Sequence, residues 1–107
     1  MKVITVRPAK APAVEEIGSN LRAMQKVVGG LIEEIFPWES DPDVALVCNE
    51  EGKLQHLTPN RAIYDDEGHM LDIIFGTFFI CYAPIESENF ESIPDELIEK
   101  YIRKFSF

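Results

Sequence analysis

Apolar positions along this chain fall into short runs at strand spacing, broken by glycine, proline and acidic clusters, with two stretches that switch to helical spacing. Val3-Ile4-Thr5-Val6, closed by Arg7-Pro8, reads as a first strand. Ala13 to Ile17 reads as a second, and the pair as a hairpin. Leu21, Met24, Val27 and Val28 then share one helical face, while Arg22, Gln25 and Lys26 face away. Ser19 or Asn20 supplies the N-cap, and Gly29-Gly30 the stop. Leu31 to Phe36 returns to strand character and ends at Pro37, before an acidic loop from Trp38 to Asp43. Val44 to Cys48 is continuously apolar, as expected of a strand buried on both faces.

Asn49-Glu50-Glu51-Gly52 is turn chemistry, and residues 53–60 show no clear period. Arg61 to Tyr64 and His69 to Phe75 flank Asp65-Asp66-Glu67-Gly68 and read as a hairpin. Gly76 then interrupts an apolar run that resumes from Thr77 to Ala83, which signals a bulge, a sharp turn or a close approach to the backbone. The strongest helical pattern runs from Ser92 to Phe105, with Leu97, Ile98, Tyr101, Ile102 and Phe105 on one stripe. Pro94 suits its first position, Ser92 and Asp95 resemble a capping box, and acids early with bases late complement the helix dipole. The expected fold is α+β: a mixed or mainly antiparallel sheet of four to six strands, a short helix in the N-terminal half, and the C-terminal helix packed on the sheet over Val47, Ile74 and Phe79. At 107 residues, the whole of 1–107 reads as a single domain.

Charge changes the picture. The formal net charge is -9, which argues against direct nucleic-acid binding and against docking on an anionic membrane. The acids concentrate in the middle of the chain, where Lys53 and Arg61 are the only bases between Glu33 and Glu99. Cys48 and Cys81 sit in apolar runs and read as buried hydrophobes without a disulfide. With no signal-peptide pattern and no run long enough to span a bilayer, a cytoplasmic location is expected.

No catalytic or metal motif emerges. Val28-Gly29-Gly30-Leu31 lacks the lysine of a phosphate loop. His56 and His69 pair with no cysteine at metal-ligand spacing, and a Cys81–His69 catalytic pair would have to be made by the fold. The carboxylates cluster in turns, where solvation is the default. The expectation is therefore no enzyme, no cofactor and no metal. The polar residues that stand out are Asn49, just after a buried strand, and Asn60-Arg61, just before another. Arg61 can bind an anion through its planar fork or pair with a neighbouring acid such as Asp65 or Glu50. Arg7, Arg22 and Lys26 complete a candidate anion-binding set with Asn49, Asn60 and Arg61, and Gly29-Gly30 and Gly76-Thr77 permit close backbone approach.

The blocks from Gln25 to Glu33, Val44 to Lys53, Asn60-Arg61-Ala62, Asp72 to Ile80 and Leu97 to Tyr101 resemble, in the same order, those of domain-of-unknown-function family 3846. The strings Val47-Cys48-Asn49-Glu50-Glu51-Gly52 and Gly76-Thr77-Phe78-Phe79-Ile80 carry most of that resemblance. It implies a small protein of bacteria, phages or plasmids without an established activity, in a setting where counter-defence proteins are common. Two readings follow. The first is a non-enzymatic binder that sequesters a small anionic, nucleotide-type signal, with a homo-oligomer completing the pocket. The second is an acidic, DNA-mimic-like inhibitor of a host nucleic-acid enzyme.

Overall fold

The computed structural model describes residues 1–107. Its centre is built by Val44-Ala45-Leu46-Val47-Cys48-Asn49, in which every residue is buried. A strand covered on both faces is apolar along its length, as this run is from Val44 to Cys48, and Asn49 closes it as a buried polar residue. In chain order the elements are β1 (Lys2–Val6), β2 (Ala13–Glu16), α1 (Leu21–Val28), β3 (Ile32–Ile35), β4 (Val44–Asn49), β5 (Pro59–Tyr64), β6 (Met70–Phe75), β7 (Phe78–Tyr82) and α2 (Asp95–Phe105). Five strands form one antiparallel sheet in the order β2-β1-β7-β4-β3. The β5–β6 hairpin forms a second, two-stranded sheet.

Register determines which residues share a face. Ile4 lies opposite Ile80, and Ile80 opposite Leu46, so one apolar row crosses three strands. Those residues join Trp38, Ile63, Ile74, Phe78, Tyr101 and Phe105 in the core beneath α2 and the hairpin. The neighbouring row, Val47 and Phe79, points the other way and packs with Met24 and Val28 of α1. Of the three residues expected under α2, therefore, only Ile74 lies there; strand alternation sends Val47 and Phe79 to the α1 side.

Both helices follow their sequence signals, with one correction. Asn20 caps α1 by accepting the Ala23 N–H at 2.8 Å, and Gly29 closes it at φ 80°. Helix α2 starts at Asp95, after a Pro94 cap that makes no side-chain bond. The expected Ser92–Asp95 capping box is absent because the preceding residues are drawn onto β1. The Ser92 hydroxyl accepts the Lys2 N–H at 2.8 Å, and the Ile93 N–H donates to the Lys2 carbonyl at 2.9 Å. At the far end of α2, Tyr101 and Phe105 enclose Trp38, with ring centroids 5.0 and 6.2 Å away. Trp38 Nε1 in turn donates to the Tyr64 carbonyl at 3.0 Å and fastens the hairpin to this aromatic cluster. Of residues 53–60, which show no period in sequence, 53–56 continue the turns that begin at Glu51, and Pro59 and Asn60 already belong to β5.

Candidate functional site: an acidic cleft beside an apolar hairpin

The polar residues singled out in the sequence divide between two places. Arg61, Asn60, Arg7 and Gly76 meet near the start of β5. Arg61 donates through Nε and Nη2 to the Phe105 carbonyl at 3.2 and 2.9 Å. Nη2 also reaches the Lys10 carbonyl at 2.7 Å, and Nη1 the Asn60 side-chain oxygen at 2.8 Å. Phe107 lies against the guanidinium, its ring centroid 4.2 Å away. Arg61 thus makes no ion pair with Asp65 or Glu50. Its fork caps the carbonyl end of α2 and ties it to the β1–β2 loop, where a cation also complements the helix dipole. Burial lowers its pKa from the ordinary guanidinium value.

The neighbours are equally engaged. Asn60 Nδ2 donates to the carbonyls of Val6 and Gly76, both at 2.9 Å. Arg7 forks onto Glu15 at 2.9 and 3.2 Å, which is the leading reason the Glu15 carboxyl titrates below its ordinary range. Gly76 adopts φ 86°, and its N–H donates to the Thr58 carbonyl at 2.7 Å. A Cβ there would stand 2.7 Å from Leu57, so Gly76 and Thr77 serve a tight β6–β7 connection.

Asn49, Arg22 and Lys26 gather at the second place. Asn49 Nδ2 donates to the Val28 carbonyl and to Gln55, and its oxygen accepts the Glu51 N–H at 2.8 Å. It joins the end of α1 to the turn after β4. Arg22 and Lys26, one turn apart on the exposed side of α1, have no carboxylate partner within salt-bridge distance and open onto a shallow surface of about 620 Å³ shared with Gln25, Gly29, Gly30, Gln55 and one carboxylate, Glu51.

The feature that sequence reading missed is a cleft between the β3–β4 side of the main sheet and β6. It holds about 400 Å³ and is floored by Cys48, Ile74 and Phe75, with Leu54 and Ile73 at its mouth. Glu33, Glu50, Glu51 and Asp72 line it, with Lys53 as its one cation. Lys53 is committed to Asp72 at 2.7 Å, and that hydrogen bond, against the opposing pull of burial, holds the Asp72 carboxyl below its usual range. A smaller recess of about 250 Å³ continues along the hairpin, bounded by Phe36, Pro37, Leu71, Glu39, Asp65, Asp66 and Glu67. The hairpin beside these hollows leaves Tyr64, Met70, Leu71 and Ile73 between 40% and 58% exposed. Alternation along β6 turns Ile74 inward and Leu71 and Ile73 outward, so the outward row was visible in the sequence only to a reader who knew that nothing covers it.

Nucleophilic chemistry finds little to work with here. Burial, reinforced by Glu33 and Asp72, pushes the Cys48 thiol up to about 12. Burial does the same to Cys81, also to about 12. His69 sits exposed at the hairpin turn beside Asp65, while Cys81 is enclosed in the core on the α1 side. The fold does not pair them. No group of His, Cys, Asp and Glu is arranged to hold a metal ion.

Fold and surface together define a small α+β protein with an acidic cleft, an uncovered apolar hairpin and no helix long and apolar enough to cross a membrane. The chain belongs to the family described as Domain of unknown function (DUF3846), whose model matches residues 1–106. No curated protein and no solved structure matches it.

Proposed function

We propose that this protein is a non-enzymatic binding module that docks a basic protein partner against the cleft and the hairpin. The observation that carries this reading is the combination of exposed Tyr64, Met70, Leu71 and Ile73 with a surround of carboxylates whose only lining cation, Lys53, is already paired. Contiguous exposed apolar side chains rimmed by polar groups are typical of interaction surfaces. The acidic rim selects the partner: it attracts a basic surface and repels a second copy of the same face. A host nucleic-acid enzyme offers such a surface in the groove that takes phosphates, and occupying that groove makes the protein an inhibitor. Capture from a bacterial lysate tests the idea, using the wild type and a Leu71→Ser/Ile73→Ser variant side by side. The expected result is a protein retained by the wild type, released by raised salt and absent from the variant. An identical set of captured proteins with both baits would refute the docking face.

A second reading is favoured by one observation of its own. Arg22 and Lys26 are unpaired cations on one shared surface, with Gln25 and Gln55 beside them and Glu51 as its single carboxylate. Sequestration of a small anionic, nucleotide-type molecule would use this surface, since Arg61 and Arg7 are spent on internal contacts. Calorimetry with a panel of nucleotides tests it: an Arg22→Ala/Lys26→Ala variant should lose any binding heat, and wild-type silence across the panel at about 100 μM protein would dismiss it.

A further inference from the structure

The main sheet ends on two edge strands, β2 and β3, and they differ in one respect. The acids of β2 are neutralised within the chain: Glu15 by Arg7, and Glu16 by the N-terminal ammonium at 3.5 Å. Those of β3, Glu33 and Glu34, are exposed and have no cationic partner. The hairpin edge is closed differently, because the Asp72 carboxylate occupies the Ile73 N–H at 2.7 Å. Nothing comparable covers β3.

Register shows which backbone groups β3 leaves open. Ile32 lies opposite Asn49 and Glu33 opposite Cys48, and the Glu50 N–H donates to the Leu31 carbonyl at 2.8 Å. In an antiparallel ladder the residues bonded to the partner strand alternate with residues whose N–H and C=O point away. Leu31, Glu33 and Ile35 therefore bond toward β4, and Ile32 and Glu34 present their backbone groups outward. At the two ends of this edge, Leu31 is 54% and Phe36 47% exposed. The edge also borders the docking region, since Glu33 lines the cleft and Phe36 shares the smaller recess with Leu71.

We propose that β3 accepts an extended basic segment of the partner as a sixth strand of the sheet. The proposal rests on the docking reading above and adds the manner of engagement: main-chain bonds at Ile32 and Glu34, and lysine or arginine side chains against Glu33 and Glu34. Strand addition of this kind draws affinity from the backbone and specificity from alternate side chains.

The test uses the full-length protein labelled with nitrogen-15 and, as probe, a capped heptapeptide of three consecutive lysines flanked on each side by two valines, whose neighbouring lysines reach both faces of the edge, as Glu33 and Glu34 do. Titration should shift the amides of 31–36 and slow hydrogen exchange at Ile32 and Glu34. Glu34→Pro removes the outward N–H while sparing the bonds to β4, as proline at an edge does. It should weaken the peptide by at least about tenfold, while Glu34→Gln, which keeps the donor and loses the charge, should weaken it by less. A thermal melt of Glu34→Pro close to that of the wild type verifies that the sheet is intact; should that variant melt early, exchange in the wild type serves as the second readout, and amides of Ile32 and Glu34 that bound peptide does not slow overturn the proposal. No binding at about 1 mM peptide, or unchanged affinity in a folded Glu34→Pro, overturns strand addition. Shifts confined to the hairpin overturn it too, yet leave the docking face standing. Failure of that face would instead appear as indifference to Leu71→Ser/Ile73→Ser in the lysate experiment.

Discussion

Replacing Arg61 by alanine tests the assignment of this residue as a strut. The substitution strips donors from the Phe105 and Lys10 carbonyls and from Asn60, each met at 3.2 Å or closer, and removes the cation resting on Phe107. A hydrogen bond to a charged group contributes about 1.5–3 kcal/mol. The side chain is half-buried, so water recovers part of this and the bonds do not add in full; the expected net loss is about 2–4 kcal/mol. For a domain of this size that lowers Tm by about 10–25 °C. Arg61→Lys keeps one charge but cannot span the three acceptors, and should lose about 1–2 kcal/mol. Circular-dichroism melts and urea titrations report both, with an unchanged urea slope indicating that only stability has moved. An Arg61→Ala protein melting within about 3 °C of the wild type would show that the contacts are decorative and that Arg61 is free to act elsewhere.

Other substitutions probe separate parts of the structure. Burial opposes ionisation of Asp41, but hydrogen bonds from Lys100 and Tyr101 outweigh it and hold its carboxyl below the ordinary value. Its contribution is therefore present above about pH 4 and lost as pH falls further, so urea midpoints of wild type and Asp41→Asn should converge on acidification and stand apart at pH 6. Gly52→Ala would place a Cβ 2.6 Å from the Phe75 carbonyl oxygen, which cannot swing aside, and should cost about 1–3 kcal/mol in a denaturant melt. Gly68→Ala, with φ 84° but open space around it, should cost only about 1 kcal/mol. With thiols pushed up to about 12, Cys48 and Cys81 should react with Ellman's reagent at pH 8 only as fast as the protein opens; rapid labelling of the folded protein would contradict their burial.

Local elements were legible where neighbouring residues determine them. The Asn20 and Gly29 caps, the continuous apolar run of β4 and the Gly68 hairpin turn each follow from a few adjacent side chains. Pairing order was not, since nothing local says that β7 lies between β1 and β4. The same limit explains the capping-box error: Ser92 bonds to Lys2, 90 positions away. Arg61 stands out as one of two bases in the acidic middle of the chain and reads as an anion binder or an ion-pair partner; its acceptors at Lys10 and Phe105 lie 51 and 44 residues distant and carry no side-chain signature. A backbone carbonyl is invisible to any reading that looks for acids. The exposure of the outward row of β6 had no local signal for a related reason, because it depends on an element that does not come to cover it.

The strand order also has a consequence for how the chain acquires its shape. β1–β2 and β3–β4 are each neighbours in sequence, but the strand that joins the two pairs is β7, the last to appear. Until residues 78–82 arrive, Ile4 and Val6 on one pair and Leu46 and Val47 on the other have no strand between them. Folding must then close long loops before the sheet gains its middle, which places refolding in the millisecond-to-second range expected of non-local β pairing and slower than helical domains of equal size. A stopped-flow trace completed within microseconds would contradict this. During synthesis the two half-sheets wait with unsatisfied edges, and the seventh strand acts as the keystone whose delivery ends that exposure.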